Sequence, residues 1–464
     1  MTISSALSKP LPSSIATIPE AEYGPWVLAG VLLTLITIYT ASKLGSELSK
    51  RLNLPPVLGE LIGGVVVGVS ALHLLMFPET GVIADSSAIM TLLKWLGNLD
   101  ANAVTHIFAS QSEVISVLAE LGVIVLLFEI GLESDLRELT KVGPQAAVVA
   151  VVGVAAPFLL GTVGLVMLFH SPVIPAIFAG AALTATSIGI TSKVLSELGH
   201  LKSTEGQIIV GAAVIDDVLG IIVLAVVASL AKTGEVDLLN VVYLIFSASA
   251  FLLGSIFLGK FFNKSFVAIA DKLQTRGALL IPAITFALIM AFLANVIHLE
   301  AILGAFAAGL VLDETDKRKE LDQQVMPVAD ILVPIFFVTV GAKADLGVLN
   351  PAVAENRAGL IIAAFLIAVA IIGKVITGWA VFGQPGVNRL AIGVGMIPRG
   401  EVGLVFAGIG SASGVLDKPL EAAIIVMVIL TTFLAPPMLL MVLDKPETPE
   451  TLVTTKNVAV PMVD

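Results

Sequence analysis

The sequence has no cysteine, few histidines and few charged residues, and each shortage excludes a kind of site. Without cysteine there is neither a disulfide framework nor a thiolate metal site. The five histidines are scattered and show no paired spacing of metal ligands. Charged residues make up 13% of the 464 residues, whereas a soluble domain carries about 25%. The chain therefore has too few charges to cover a water-facing surface of its size.

Hydrophobic residues are abundant instead, at 57% of the chain, with a mean hydropathy of +1.02. Apolar runs long enough to cross a bilayer recur from Pro25 to Leu443, which predicts an all-α polytopic membrane protein. The net charge of −11 comes mostly from loops and tails and does not point to a partner. We expect the lipid bilayer as the surroundings, no nucleic-acid partner and no enzymatic activity.

We predict about thirteen transmembrane helices, flanked by a polar N-terminal tail over 1–24 and a C-terminal tail over 444–464. The ninth is shorter than the about 20 residues a span needs, and one alternative is that it joins the eighth across His298 and Glu300. The predicted spans cover residues 25–43, 56–75, 112–133, 144–169, 174–197, 204–230, 238–260, 277–297, 299–313, 326–344, 357–382, 387–412 and 420–443.

Lysine and arginine predict the orientation of the chain. With the N-terminus outside, most of the 25 basic residues fall in the inner loops and the C-terminal tail, and basic loops favour the cytoplasmic side. We therefore expect a multi-pass protein whose N-terminus is outside or lumenal and whose C-terminus is cytoplasmic.

Two of the predicted spans contain segments in which the helix is expected to break. These are ALTATSIGITSK (182–193) and GVGMIPRGEVG (393–403), which are rich in small and hydroxyl residues. The thirteen predicted spans can be divided into six spans, one connecting span and six further spans, which would form two inverted repeats. In that arrangement each break lies in the fifth span of its repeat. Such repeats with interrupted helices are typical of secondary transporters, because irregular backbone at membrane depth must line a cavity or be buried in protein. The alternative is a pair of ordinary proline and glycine kinks.

Two adjacent carboxylates, Asp216 and Asp217, lie in the middle of the apolar helix predicted over 204–230. A charge at the bilayer centre costs at least ~2.5–3.5 kcal/mol, so the pair needs compensation or a function. A buried carboxyl group favours its protonated form, and its oxygens also suit hard cations. Successive helix positions project ~100° apart, so the two side chains cannot do the same job. The alternative is a pair that serves packing only.

Lys374, deep in the span over 357–382, is the expected partner of one aspartate; a purely structural salt bridge is the alternative. Thr184, Thr186 and Ser187 offer hydroxyl oxygens at the first break, although each could instead bond to its own helix.

Other charged residues in the spans are expected to have supporting roles. Arg399 and Glu401 at the second break could neutralise the partial charges of the helix ends. For the remaining membrane carboxylates we favour interfacial or interhelical hydrogen bonding; these are Glu60, Glu113, Glu120, Glu129 and Glu133.

Several motifs together resemble a known family. They are VIDDVLG (214–220) after a TATS break, GLE (131–133), the lysine in GKVITG and the late PRGEVGLV. Over about 25–443 the chain resembles the bacterial monovalent cation:proton antiporters of the NapA and Kef type (cation:proton antiporter-2). It is most similar to the cyanobacterial members assigned to the thylakoid membrane, which implies that location; the plasma membrane is the alternative.

The resemblance implies a homodimer in which each subunit has a dimerisation panel and a mobile core that slides like an elevator. It also implies that the two broken helices cross. The panel would comprise 25–133 and 277–345, the core 144–230 and 357–443, and the linker helix 238–260.

The resemblance also implies roles for individual residues. Asp217 would carry the sodium ion or the proton, and Asp216 would pair with Lys374 when the ion is absent. Thr186 and Ser187 would contribute oxygens to sodium, and Glu401 would support the second break. Members with two aspartates are generally electrogenic, and no cofactor is implied beyond the transported sodium and protons.

The chain departs from the family pattern at two places. Kef-type potassium systems carry a nucleotide-binding domain after the membrane region, whereas only 444–464 follow here, which weakens a ligand-gated potassium efflux reading. Glu129 stands where an apolar residue is expected before GLE. We therefore expect sodium/proton exchange by alternating access, with lithium as a further possible substrate. The alternatives are potassium/proton exchange and a cation channel or membrane sensor on the same scaffold.

Overall fold

The computed structural model describes residues 23–233, 237–352 and 354–443. The predicted C-terminal tail and residues 1–22 of the predicted N-terminal tail lie outside these ranges. The described residues form helices joined by turns and loops and contain no strand, as the hydropathy pattern predicts.

Seventeen α-helices lie in the described part of the chain. In the first half they are α1 (Gly24–Arg51), α2 (Pro56–Val67), α3 (Ala88–Gly97), α4 (Ala101–Glu133), α5 (Leu136–Lys141), α6 (Gly143–Phe169), α7 (Val173–Ala182), α8 (Ile188–Glu197) and α9 (Thr204–Thr233). In the second half they are α10 (Leu238–Lys272), α11 (Leu280–Val296), α12 (Ala301–Asp313), α13 (Arg318–Ala342), α14 (Ala354–Val375), α15 (Arg389–Gly395), α16 (Glu401–Ala412) and α17 (Lys418–Val442).

Seven stretches are long and apolar enough to cross a membrane by length and composition. They are Gly24–Arg51, Ala101–Glu133, Gly143–Phe169, Thr204–Leu230, Arg318–Leu349, Arg357–Ala380 and Lys418–Val442. Several other apolar helices are shorter, including α7, α11, α12 and the larger part of α16. The chain is therefore a multi-pass membrane protein built from helices of unequal length.

Polar residues next to the apolar runs set several helix starts. The Asp100 carboxylate accepts a hydrogen bond from the Ala103 amide at 2.7 Å and begins α4. Asn388 and Asp417 cap α15 and α17 in the same way, each accepting an amide hydrogen bond at 3.0 Å. These caps satisfy amides that have no partner within the helix, so short polar signals fix where long apolar helices begin.

The helix boundaries depart from the predicted spans near the N-terminal end of the chain. The predicted second span is too long, because α2 ends at Val67 and the chain turns onto the end of α13, where the Val69 amide donates to the Ala342 carbonyl at 3.1 Å. The third begins earlier than predicted, at Ala101, and α3 was not predicted.

The eighth and ninth predicted spans do not join, so that alternative is wrong. Helix α11 ends at Val296 and α12 begins at Ala301. Between them His298 has a left-handed backbone with φ 64°, a conformation that a continuous right-handed helix cannot include.

The helices pack into two groups. Helices α1, α2, α4, α11, α12 and α13 pack chiefly on one another, and so do α6, α7, α9, α14, α15, α16 and α17. The groups meet where α8 contacts α2 and α4, and where α17 contacts α2. The two aspartates of α9 lie in the second group, near its boundary with the first.

Candidate functional site

A buried ion pair joins α14 to α9. Lys374 Nζ lies 3.0 Å from Asp216 Oδ2, and both side chains are fully buried. Gly153 of α6 makes room for the lysine, since a Cβ added there would lie 3.2 Å from Nζ. The other carboxylate oxygen, Asp216 Oδ1, has no hydrogen-bond partner among the described residues. The structure thus brings together the lysine and one of the two aspartates that the sequence singled out.

Two breaks in the helices contact each other beside this pair. The chain leaves the helix between α7 and α8 and again between α15 and α16, inside the segments predicted to break. The Ser187 amide donates to the Pro398 carbonyl at 2.8 Å, and the Thr186 hydroxyl donates to the Met396 carbonyl at 3.1 Å. Some of the backbone groups freed at one break are therefore satisfied by the other break, as irregular backbone within a membrane protein requires.

Asp217 faces a small cavity at the first break. Thr186, Ser187 and Asp217 line it, and these side chains are 3%, 8% and 4% exposed. The cavity has a volume of about 10 Å³, close to the least room that one water molecule needs. Carboxylate, hydroxyl and carbonyl oxygens are the ligands that hard monovalent and divalent cations prefer, so this set can hold a small dehydrated cation or a proton.

Arg399 lies at the second break and is fully buried. Its Nη1 donates to the Ala185 carbonyl of the first break, and the Thr432 hydroxyl donates to the Arg399 carbonyl at 2.6 Å. Nε and Nη2 have no hydrogen-bond partner among the described residues. Arg399 therefore ties the two breaks together and brings positive charge near Asp216.

The structure describes the side chain of Thr184 but not that of Glu401, the two remaining residues predicted at the breaks. The Thr184 hydroxyl donates to the Ala181 carbonyl at 2.7 Å, so it closes the end of its own helix α7 and does not reach across the breaks. Glu401 is the first residue of α16, but its side chain lies outside what the structure describes.

A second, larger cavity leads toward the aspartate site and had no signal in the sequence. It has a volume of about 390 Å³ and lies between α4 and α13 on one side and α16 and α17 on the other. Val123, Phe336 and Gly400 line both cavities. We call the larger cavity the vestibule; Glu79 and Lys343, 2.8 Å apart, lie at its end away from Asp217.

The other membrane carboxylates are distributed around this site. Glu60 accepts hydrogen bonds from Ser42 at 2.9 Å and Ser46 at 3.3 Å, and Glu133 accepts one from Ser196 at 3.0 Å. These two make the interhelical hydrogen bonds that were expected.

The other three membrane carboxylates show different surroundings. Glu120 lines the vestibule, Glu113 is exposed, and Glu129 is buried.

The sequence is similar to those of known sodium/proton antiporters. The chain is 61% identical to the high-affinity Na⁺/H⁺ antiporter NhaS3 of Synechocystis, over 97% of this chain and 99% of that protein. It is 33% identical to the Na⁺/H⁺-K⁺ antiporter GerN of Bacillus cereus, over 87% of this chain and 93% of that protein.

A solved structure and a family model extend the comparison. The structure of the sodium proton antiporter MjNhaP1 from Methanocaldococcus jannaschii superposes with a TM-score of 0.58 at 17% identity, covering 89% of this chain and 96% of that one, which indicates a shared fold. The model of the transmembrane sodium/hydrogen exchanger family matches residues 31–445. The chain therefore belongs to the sodium/hydrogen exchanger family of membrane transporters.

Proposed function

We propose that this protein exchanges sodium for protons across a membrane at one buried carboxylate, Asp217. The observation that carries the proposal is the small cavity in which Asp217 meets Thr186 and Ser187 at the contact of two helix breaks. The Synechocystis relative, named a sodium/proton antiporter, spans nearly the whole chain and supports the same activity.

Exchange follows from competition at Asp217. The protonated carboxyl group is neutral and suits the buried cavity; loss of its proton to water leaves a carboxylate that binds sodium with the oxygens of Thr186 and Ser187. Return of a proton from the other side releases the sodium ion. The Asp217 carboxylate thus holds either a proton or a sodium ion at any time, which couples the flow of protons to the flow of sodium.

Asp216 and Lys374 have a different role in this proposal. Their ion pair fixes the charge next to Asp217 while the site holds no sodium, and Arg399 adds positive charge on the same side. If the Asp216–Lys374 pair also loses one proton to water when sodium binds, and regains it when sodium leaves, two protons move for each sodium ion, so we propose electrogenic exchange. Glu401 is proposed to support the second break.

We propose the architecture of alternating access for this chain. About thirteen spans would form two inverted six-helix repeats with crossed broken helices. Residues 25–133 and 277–345 would form a dimerisation panel, 144–230 and 357–443 a sliding core, and 238–260 the linker of a homodimer. The separate packing of the two helix groups supports this division.

The membrane and the orientation are part of the same proposal. The N-terminus would be outside or lumenal and the C-terminus cytoplasmic, as the basic loops predict. The thylakoid membrane is the proposed location, and the plasma membrane is the alternative.

Potassium is a second candidate substrate, because the Bacillus cereus relative is named a Na⁺/H⁺-K⁺ antiporter. Selectivity between sodium, lithium and potassium depends on the size of the Asp217 cavity and on the cost of dehydration. Both relatives are named for sodium, so we expect sodium to be preferred, and lithium, a small cation of the same charge, to act similarly.

The test uses purified protein in liposomes with an imposed pH gradient. Adding sodium should discharge the gradient, lithium should act similarly and potassium weakly, and Asp217→Asn should abolish the response. Glu113→Gln, an exposed carboxylate on α4, is the control. A response that persists in Asp217→Asn would refute the proposed site, and proton flux without any added cation would indicate a channel.

A further inference from the structure

One carboxylate, Glu129, lies buried on the side of Asp217 opposite the vestibule. It belongs to α4, about six residues or ~9 Å of helix beyond Val123, which lines the Asp217 cavity. The vestibule is lined by α4 residues before Val123, such as Ser116 and Glu120. Glu129 therefore lies further along α4 than the Asp217 cavity, in the direction away from the vestibule.

Helix geometry directs Glu129 between α13 and α8. Gly122 stands about two turns earlier on the same face of α4, and a Cβ added there would overlap the Leu332 carbonyl of α13. On an adjoining part of that face, Glu133 accepts a hydrogen bond from Ser196 of α8 at 3.0 Å. Glu129 thus lies where the two helix groups meet.

Glu129 as a whole residue is only 8% exposed, and its Oε2 has no hydrogen-bond partner among the described residues. Burying a carboxylate oxygen without a hydrogen bond is costly. The charged groups that act on it are Lys193 of α8, Asp322 and Asp330 of α13, and Glu133 of its own helix. Lys193 is the one cation in this set, and it belongs to α8, which lies where the two helix groups meet.

We propose that Glu129 is a second cation-binding carboxylate, which a sodium ion or a proton occupies transiently between Asp217 and the side opposite the vestibule. Lys193 compensates its charge while that side is closed. A shift of α8 against α4 would separate the two and leave Glu129 to attract a cation into the opening cleft. The inference rests on the proposed function and adds a binding group for the same transported ions.

The test compares initial rates in membrane vesicles of opposite sidedness, with sodium added outside. Glu129→Gln should raise the apparent KM for sodium by about three- to tenfold in one vesicle type and leave it unchanged in the other, because a fixed charge near an entrance acts on ion entry from that side. Lys193→Gln should lower the KM in the same vesicle type. Glu129→Asp should stay close to the native value, and Glu113→Gln should match the native protein in both types.

A KM unchanged in both vesicle types, or raised equally in both, would overturn the role of Glu129. If Glu129→Gln does not accumulate in the membrane, Lys193→Gln decides, and an unchanged KM in that variant overturns the proposal. Failure of the proposed function is separate: it requires that the native protein shows no sodium-dependent exchange, or that Asp217→Asn retains it.

Discussion

Lys374 Nζ and Asp216 Oδ2 are 3.0 Å apart, and neither side chain is reached by solvent. The pair joins α14 to α9 next to the carboxylate that faces the Asp217 cavity. Buried charges are tolerated only as long as each has its partner. When one partner is removed, the remaining charge stays buried and nothing offsets the cost of its desolvation.

Removing one member of this pair should therefore destabilise the protein, and removing both should restore most of the loss. We expect Lys374→Met or Asp216→Asn alone to lower the free energy of unfolding by about 3–5 kcal/mol, and the double variant to lose much less. The exposed pair of Lys94 and Asp85, 2.8 Å apart, is the control, where Lys94→Met should cost at most about 1 kcal/mol.

Unfolding in detergent, followed by tryptophan fluorescence, measures these differences. A loss in the double variant equal to the sum of the two single losses would mean that the pair is not coupled.

Sodium binding at Asp217 should depend on pH in a defined direction. Sodium requires the deprotonated carboxylate, so protons compete with it. On the acidic side of the profile the apparent KM for sodium should rise about tenfold for each unit by which the pH falls, and the maximal rate at saturating sodium should change much less. Initial exchange rates at equal pH on both sides of the liposome measure this. A KM independent of pH, with only the maximal rate affected, would contradict competition at a single site.

The sequence predicted the helical fold and the central chemistry because both have strong local signals. Charged residues in apolar runs are costly, which is why Asp216, Asp217, Lys374 and Arg399 stood out. The breaks were predicted from small and hydroxyl residues in matching segments. The first turns of α4 were not predicted from the sequence. This helix begins at Ala101, but His106 and Gln111 interrupt the apolar run before residue 112.

The cavities could not be predicted in the same way, because they depend on how distant helices pack. Phe336 and Val123 look like ordinary core residues in the sequence, and only the packing of α4 against α13 places both beside Gly400. The difference between Thr184 and Thr186 is likewise a matter of tertiary structure, since neighbouring hydroxyls of the same motif bond to different helices.

That difference gives a matched pair of variants. Thr186→Val removes the hydrogen bond to the Met396 carbonyl, 3.1 Å away across the two breaks, and leaves that buried carbonyl without this donor. Thr184→Val removes only a bond within α7, to the Ala181 carbonyl at 2.7 Å. Thr186→Val should cost about 1–3 kcal/mol in stability and raise the KM for sodium several-fold, whereas Thr184→Val should leave the KM near the native value. Melting in detergent and sodium-dependent exchange test both, and equal effects on KM would remove Thr186 from the cation site.

Phe336 of α13 is buried and lines both the vestibule and the Asp217 cavity, so we expect it to act as an apolar barrier between them. Phe336→Ala removes this apolar barrier and should let water join the two spaces. We expect proton flux without sodium to increase and exchange to become poorly coupled, while the cost in stability stays at about 3–5 kcal/mol or less. Phe292→Ala, at an exposed position on α11, is the control and should show the native rate of proton leak. The measurement is the decay of an imposed pH gradient in liposomes without sodium, compared with the rate after sodium is added. A native leak rate in Phe336→Ala would show that residues other than Phe336 close the Asp217 site.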